Sequence, residues 1–183
     1  MSVFPSVTPI RNYEYRRFLF VTLVLSRRKK MNVSQKGIDL IKRFEGFISH
    51  AYLCPKGVLT VGFGHTGSDV KQGMVITEGE AETLLKKDLN KFASKITYSL
   101  DQDKIKVNQN QFDALCSFAY NLGFSAFIFS TLYKKLKQGD YEGASDEFLK
   151  WVYITKTVNN ERVKIRLKGL ETRRNAERDL FLS

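Results

Sequence analysis

Residues 44–67 read FEGFISHAYLCPKGVLTVGFGHTG, and they carry the strongest structural signal in the chain. Two short runs rich in β-branched and aromatic residues flank residues 54–57, where proline and glycine occupy positions favoured in a type I turn. The stretch therefore predicts a β-hairpin. Alternation along the returning strand separates two faces, one with Leu59, Val61 and Phe63 and the other with Val58, Thr60 and Gly62.

A helix is predicted immediately before this hairpin. Ser34 can cap its N-terminus, and Gly46 is a stop signal at its other end. Glu45 lies beside the apolar stripe near that end. The stripe recurs at three- and four-residue spacing and consists of Ile38, Ile41 and Phe44, with Ile48 as an extension.

Beyond Gly73 the pattern is almost wholly helical. Residues 77–80, TEGE, predict a capping box, and a further helix is predicted from near Asn108 to Gly123. Together with the hairpin, these helices predict an α+β fold in which a small β-hairpin lobe packs beside a mainly helical lobe. Further helical segments are predicted around Ser130–Gln138, Tyr141–Val152 and Gly169–Phe181.

Length and composition fit one domain with a buried core, since the chain has 183 residues of which 43% are apolar. Two cysteines are too few for a disulfide framework, and no CxxC or clustered His and Cys pattern indicates a metal site. We therefore expect no metal and no cofactor. The longest strongly apolar run, Phe18–Leu25, falls well short of the roughly 20 residues that a membrane-spanning helix needs, so we expect no stable membrane span.

The net charge of +11 divides into +6 on residues 1–30 and +5 on residues 31–183. The first segment has a basic patch and a short apolar run, as signal peptides do, but it lacks a small-residue cleavage site. The four cations at 27–30 also oppose export. Residues 1–30 are interpreted as a basic N-terminal extension: a loosely ordered tail, a start assigned too far upstream of Met31, or a weak membrane-surface anchor. Residues 31–183 are predicted to form one folded domain.

Three polar side chains lie where the helix end would meet the hairpin: Glu45, Cys54 and Thr60. Cleavage of a glycosidic bond requires an acid that protonates the leaving oxygen. It also requires a second group for water or for the positive charge on the other side of the sugar. Partial burial beside Phe44 and Phe47 can favour the acid form of Glu45. Each residue alone is a weak signal, because most glutamates at helix ends are surface residues and strand threonines reflect β-propensity.

The stretch resembles the catalytic segment of the phage-type lysozymes, or endolysins, of glycoside hydrolase family 24. Their pattern is Glu, eight residues, Asp or Cys, five residues, Thr, and a Gly-aromatic-Gly-His end. Glu45, Cys54 and Thr60 match both spacings, and residues 62–65 read GFGH. The resemblance covers roughly residues 31–183. Four downstream segments follow in the family's order: ITEGEAETLLKKDL, QFDALCSFAYNLG, STLYKKLKQGDYEGASDEFLKW and GLETRRNAERDLF.

The resemblance implies a lysozyme-like fold with the active-site cleft between the lobes. It implies hydrolysis of the β-1,4 bond between N-acetylmuramic acid and N-acetylglucosamine in peptidoglycan, with Glu45 as general acid and Thr60 holding water or the reacting centre. Cys54 stands where many relatives carry Asp. An unperturbed thiol has a pKa of about 8.5 and is mostly protonated at neutral pH. Three roles for Cys54 stay open: a partial thiolate base, a group that orients water, and the filler of a small turn pocket.

The resemblance also implies supporting residues. It places Asp88 within reach of His65, which predicts an ion pair that ties the hairpin to the following helix. It brings an arginine of the last helix, Arg173 or Arg174, to the catalytic glutamate, and the alternative for both is a solvated basic face. Residues 152–168 are longer and more basic than the loop expected there, and they are interpreted as an extra hairpin or a lid near the cleft.

The expected partner is peptidoglycan of the bacterial cell wall, and the expected outcome is cell lysis. Nucleic acid is not expected, because no aromatic-interleaved basic stripe or groove-reading motif is present. We expect a monomer that stays in the cytoplasm until a separate holin-type pore protein releases it to the periplasm and wall. The alternative function is a catalytically degenerate peptidoglycan-binding or structural protein with the same fold, for which Cys54 in place of Asp is the main support.

Overall fold

The computed structural model describes residues 30–55, 57–158 and 161–183, so the predicted extension, apart from Lys30, lies outside the described residues. Helix α1 (Gln35–Glu45) begins and ends where predicted, because Ser34 caps it through the amide of Gly37 and Gly46 follows it at a φ of 71°. The prediction that Ile48 extends the helical stripe is wrong. The left-handed backbone at Gly46 ends the helix, and Ile48 begins the first strand.

The small lobe is a three-stranded antiparallel sheet in the order β1 (Ile48–Leu53), β2 (Leu59–Gly62) and β3 (His65–Thr66). The predicted β1–β2 hairpin is confirmed. Its turn is closed by the amide of Gly57, which donates to the carbonyl of Cys54 at 2.8 Å. The two-residue strand β3 was not predicted, because it is too short to show alternation.

Helix α2 (Glu78–Gln102) connects the two lobes. It begins with the predicted capping box, in which Thr77 and Glu80 each satisfy a backbone amide of the other. Its 25 residues span about 37 Å. One face of the helix contributes first to the core of the small lobe and then to that of the helical lobe, with Ala81, Leu85 and Leu89 in the first core and Ala93, Ile96 and Leu100 in the second.

Helix α3 (Gln109–Leu122) lies at the centre of the helical lobe. Its predicted start near Asn108 and stop at Gly123 are confirmed, with Asn108 and Gln111 forming a second capping box. The helix is apolar around most of its circumference because other helices surround it. Its fully buried apolar residues are Phe112, Ala114, Leu115, Cys116, Phe118 and Ala119.

The chain continues through four helices and a second hairpin, whose bounds are α4 (Phe124–Ile128), α5 (Thr131–Lys137), α6 (Tyr141–Phe148), β4 (Tyr153–Val158), β5 (Glu161–Arg166) and α7 (Lys168–Leu182). The prediction that α6 reaches Val152 is wrong. After Phe148 the amides of residues 149–151 bond three residues back instead of four, and the Val152 carbonyl accepts the Leu167 amide at the base of the β4–β5 hairpin. The longer segment at 152–168 therefore forms the extra hairpin.

The predicted α+β class is confirmed, with a small sheet beside a mainly helical lobe within the unit of residues 31–183. Within the described part of the chain, no helix has the length and apolar character needed to cross a membrane.

Candidate active site

Glu45 is the last residue of α1, and its side chain is 21% exposed. Its Oε1 accepts a hydrogen bond from Arg173 Nη1 at 2.6 Å, across 128 residues of sequence. The Arg173 guanidinium also lies against the ring of Phe44, 5.6 Å from its centroid. A charge-assisted hydrogen bond of this kind is stronger than a neutral one, and it holds Oε1 in place.

The carboxyl group of Glu45 faces a cleft of about 360 Å³ between the small sheet and helices α2 and α3. The cleft has a largely polar lining on both lobes. A larger depression, of about 490 Å³, lies between α1 and α7 and contains none of the predicted site residues. Besides Glu45, the cleft is lined by Gly64, Thr66, Asp88, Lys91, Phe92, Tyr120 and Asn121.

Gly64 and Tyr120 shape the cleft wall next to Glu45. Gly64 has a φ of +87°, and a Cβ atom added there would lie 3.7 Å from Glu45 Oε2. The hydroxyl of Tyr120 donates to the carbonyl of Phe63 at 3.0 Å, which joins α3 to the small lobe. Burial raises the pKa of Tyr120, and the negative charges of Glu45 and Asp88 raise it further, so the phenol is a hydrogen-bond donor at neutral pH.

Thr60 and Cys54 lie on the small sheet and do not line this cleft. Thr60 pairs directly with Thr66 on β3, and opposed residues of antiparallel strands project to the same face. Thr60 therefore shares a face with Thr66, which does line the cleft, although it is itself buried. Cys54 is half-buried and directly follows β1. It lies two residues after Tyr52, which is the partner of Thr60 on β1. Continued alternation would put it on that face too.

The structure brings His65 and Asp88 together. The distance from His65 Nδ1 to Asp88 Oδ2 is 2.5 Å, and His65 Nε2 lies 3.2 Å from Asp69 Oδ1. His65 is buried on β3, and Asp88 lies on α2 with Lys91 as a further partner. The contact therefore connects the small sheet to the long helix at the edge of the cleft.

The two arginines of α7 take different places, and neither is on a solvated face, since Arg173 is 3% and Arg174 0% exposed. Arg173 reaches Glu45, whereas Arg174 donates to Glu177 at 2.8 Å and to Asn121 at 3.2 Å. The guanidinium of Arg174 also lies over the ring of Phe118. Burial lowers the pKa of Arg174, while the adjacent Glu177 opposes that shift.

Several residues of the cleft were missed by the sequence reasoning. Thr66 is the partner of Thr60 across β2 and β3, and prediction of a third strand beginning at the histidine of GFGH would have indicated it. Tyr120 and Asn121 are polar residues that directly follow the mainly apolar stretch 114–119 of this helix, and this break in pattern was an available signal. Lys91 carries no such signal, because lysines are common on exposed helix faces.

A half-buried carboxyl group, fixed by an arginine in a polar cleft between a small sheet and a helical lobe, is the arrangement of a lysozyme-type glycoside hydrolase. Comparison with known proteins gives the same class. The sequence model of the family Phage lysozyme matches residues 42–177. The chain belongs to the phage lysozyme family, and it is a glycoside hydrolase with a muramidase, cell-wall-hydrolysing function.

Individual relatives agree with this assignment. The chain is 46% identical over 154 residues to the endolysin of Acyrthosiphon pisum secondary endosymbiont phage 1. The aligned residues cover 84% of this chain and 99% of that protein. It is 40% identical over 138 residues to a protein of Bacteriophage PS119 named SAR-endolysin, covering 75% of this chain and 76% of that protein. Among solved structures, the endolysin from Escherichia coli O157:H7 phage FAHEc1 superposes with a TM-score of 0.74 at 36% identity, covering 85% of this chain and 96% of that one.

Proposed function

We propose that the protein cleaves the β-1,4 bond between N-acetylmuramic acid and N-acetylglucosamine with Glu45 as the general acid. The observation that carries this proposal is the asymmetric environment of the carboxyl group. Oε1 accepts a hydrogen bond from Arg173, and Oε2 lies on the side of Gly64 at the cleft. Guanidinium groups only donate, so Arg173 holds Oε1 as an acceptor and leaves Oε2 as the oxygen that carries the proton.

Protonation of the bridging oxygen is the step that Glu45 performs. A sugar bound in the cleft brings that oxygen to within hydrogen-bond distance of Oε2, and the proton moves to it as the bond to the anomeric carbon breaks. The absence of a side chain at Gly64 leaves space beside Oε2 for the substrate.

Thr60 and Cys54 act on the opposite side of the sugar in this proposal. The Thr60 hydroxyl donates to the carbonyl of Val58 at 3.0 Å, so its lone pairs are directed to accept a hydrogen bond from a water molecule. A water held there attacks the anomeric carbon. The proton that this water loses passes to Cys54 if the side chain is a thiolate, or to bulk water if Cys54 only orients the attacking molecule. Attack by water inverts the configuration of the product, which NMR of the released sugar detects.

The experiment is clearing of a peptidoglycan suspension by the purified protein. Glu45→Gln keeps the hydrogen bond to Arg173 but has no proton to deliver, and we expect it to abolish clearing while circular dichroism stays that of the parent. Glu142→Gln, at an exposed position in the first turn of α6, is the matched control and should clear at the parent rate. Clearing by Glu45→Gln would refute the assignment of the acid. Absence of clearing by the parent protein at every pH would favour the degenerate binding protein.

The role of Cys54 is tested with Cys54→Asp, Cys54→Ser and Cys54→Ala across a pH series. A thiolate base predicts that the activity of the parent rises with pH as the thiol ionises, that Asp removes this dependence, and that Ala is least active. A group that only orients water predicts that Ser retains most of the rate. Equal rates for all three variants would remove Cys54 from the catalytic residues.

We propose further that the protein is a monomer, held in the cytoplasm until a separate holin-type pore protein gives it access to the periplasm and wall. The four cations at 27–30, which follow the short apolar run, support this route because positive charge there opposes export. Four relatives are named SAR-endolysin, and the competing possibility for this chain is access to the wall without a pore protein. Expression in bacteria with and without a co-expressed pore protein separates the two, since lysis without the pore protein would refute pore dependence. Sedimentation velocity tests the monomer.

A further inference from the structure

The guanidinium that holds Glu45 is itself held from behind by a second carboxylate. Arg173 Nε lies 3.1 Å from Glu177 Oε1, on the side away from Glu45, and Arg173 Nη2 donates to the backbone carbonyl of Ser117 at 3.2 Å. The Ser117 hydroxyl donates to the same Glu177 oxygen at 2.7 Å. Each nitrogen of Arg173 therefore has an acceptor, and the group has one orientation.

Glu177 lies deeper than the cleft and contacts no part of it. Its side chain is fully buried, and its second arginine partner, Arg174, is fully buried as well. Arg174 Nε lies 2.8 Å from Glu177 Oε2, although the pair is not aligned as a hydrogen bond. Burial raises the pKa of Glu177, and the guanidiniums of Arg174 and Arg173 act against that rise. Replacement of a whole buried ion pair by well-packed apolar side chains is often neutral for stability or improves it, so stability of the fold alone does not account for this pair.

We propose that Glu177 is a positioning residue for the reaction: it fixes the Arg173 guanidinium and balances its charge beside the carboxyl group of Glu45. The proposal rests on the proposed function of Glu45 as general acid. With Glu177 and Glu45 both ionised, the two carboxylates match the charge of Arg173 and Arg174. When Glu45 is protonated, the cluster of these four side chains has a net charge of one positive unit. Without Glu177, that net charge would be two positive units.

Other charged groups also face Glu45, and they set the background for this effect. From α2, Asp88 and Lys91 line the cleft, and their opposite charges lie side by side. From α3, the Tyr120 hydroxyl lies at the cleft wall as a neutral group. From the small sheet, Gly64 and Thr66 carry no charge, and His65 pairs with Asp88 and Asp69. Removal of Glu177 therefore leaves an uncompensated positive charge on α7 next to Glu45.

The test is the pH profile of kcat/KM for clearing or for hydrolysis of a soluble glycan. Activity falls at alkaline pH when the general acid loses its proton. Glu45 Oε1 lies 2.6 Å from Arg173 Nη1, and Glu177 Oε1 lies 3.1 Å from Arg173 Nε. For two unit charges on the order of 8 Å apart, Coulomb's law gives a titration shift of about 0.4 to 1.5 pH units at effective dielectric constants of about 80 to 20. We therefore expect Glu177→Gln to move the alkaline limb to lower pH by this amount. Activity on that limb should fall about 3- to 30-fold, mainly through kcat, because Glu177 contacts no substrate.

Arg174→Gln supplies the opposite perturbation. It removes one positive charge from the cluster, and we expect the alkaline limb to move to higher pH. The double variant Arg174→Gln/Glu177→Gln restores the charge balance and should bring the limb back towards that of the parent. A residue that served only the fold would not produce shifts of opposite sign with restoration in the double variant. If Glu177→Gln alone fails to fold, the test is the comparison of the alkaline limb of Arg174→Gln with that of the double variant.

Glu147→Gln is the matched control. Glu147 is also a buried glutamate with two cationic partners, Lys150 at 2.8 Å and Lys135 at 3.1 Å, but it lies on α6 outside the site. We expect it to lower the stability and leave the pH profile in place. Alkaline limbs of Glu177→Gln and Arg174→Gln that coincide with that of the parent would overturn the proposal. Activity in Glu45→Gln would instead refute the general acid itself, so the two failures are distinguishable.

Discussion

Gly64→Ala perturbs the space beside the proposed proton-carrying oxygen without removing any functional group. The added Cβ would lie 3.7 Å from Glu45 Oε2 and 3.9 Å from the Tyr120 hydroxyl, within the wall of the cleft. These are ordinary contact distances, so the methyl group fits the unliganded protein. It takes up room beside Oε2, where the substrate oxygen must approach to within about 3.2 Å for proton transfer.

Gly64→Ala is expected to have two separate effects, one on the stability of the protein and one on kcat. Gly64 has a φ of +87°, and a residue with a Cβ atom in such a conformation costs about 1–2 kcal/mol of stability. For a domain of this size that corresponds to a fall in Tm of about 2–8 °C. Displacement of the bridging oxygen from Oε2 by a fraction of an ångström to about 1 Å reduces kcat by on the order of 10- to 100-fold.

Gly139→Ala is the control that separates these effects. Gly139 has a φ of +76° between α5 and α6, and a Cβ atom there meets nothing within 4 Å. It should lower Tm by a similar amount and leave the rate of clearing unchanged at temperatures well below the transition. Thermal unfolding and clearing rates of both variants complete the comparison. A Gly64→Ala protein with the Gly139→Ala loss of stability and the parent kcat would refute the placement of the substrate beside Oε2.

Three further predictions concern the framework of the site. Asp88→Asn weakens the 2.5 Å contact with His65 and should lower the free energy of unfolding by about 1.5–3 kcal/mol; an unchanged urea midpoint would contradict this. Glu82 pairs with Lys42 at 2.7 Å, which lowers its pKa from 4.5 to about 2. Its stabilising effect is therefore present above pH 4.5 and lost as the pH falls towards 2, so Glu82→Gln should flatten the dependence of Tm on pH in that interval, and parallel curves would argue against it. Phe118→Ala removes a fully buried ring and should cost about 3–5 kcal/mol in urea unfolding; a loss below 1 kcal/mol would mean that the neighbouring rings close the cavity.

Much of the fold could be predicted because its signals are local. Ser34, Thr77 and Asn108 each cap a helix through a side chain that lies within three residues of the amide it binds. Gly46 and Gly123 end helices at positive φ, as glycine permits. The missed features depend on distant contacts or are too short for periodicity: β3 has two residues, and helix α4 has five.

The site was only partly predictable for the same reason. The spacing of Glu45, Cys54 and Thr60 is readable from the chain, but the atoms around them are not. Sequence could not separate Arg173 from Arg174, because adjacent residues of a helix point about 100° apart and the docking of α7 decides which one meets Glu45. Glu177 was visible only as one more charged residue on an amphipathic helix.

Formation of the site is tied to docking of the last helix. Glu45 ends α1, and the guanidinium that orients its carboxyl group is supplied by Arg173 of α7, 128 residues away. Helix α7 is fixed against α3 by burial of Phe181 in the helical core and by the Arg174 guanidinium over Phe118. If the small sheet and α1 are folded but α7 is not docked, the carboxyl group of Glu45 therefore lacks its hydrogen bond from Arg173. Because the contact is between the two ends of the domain, a proton-donating Glu45 and a completely folded domain arise together.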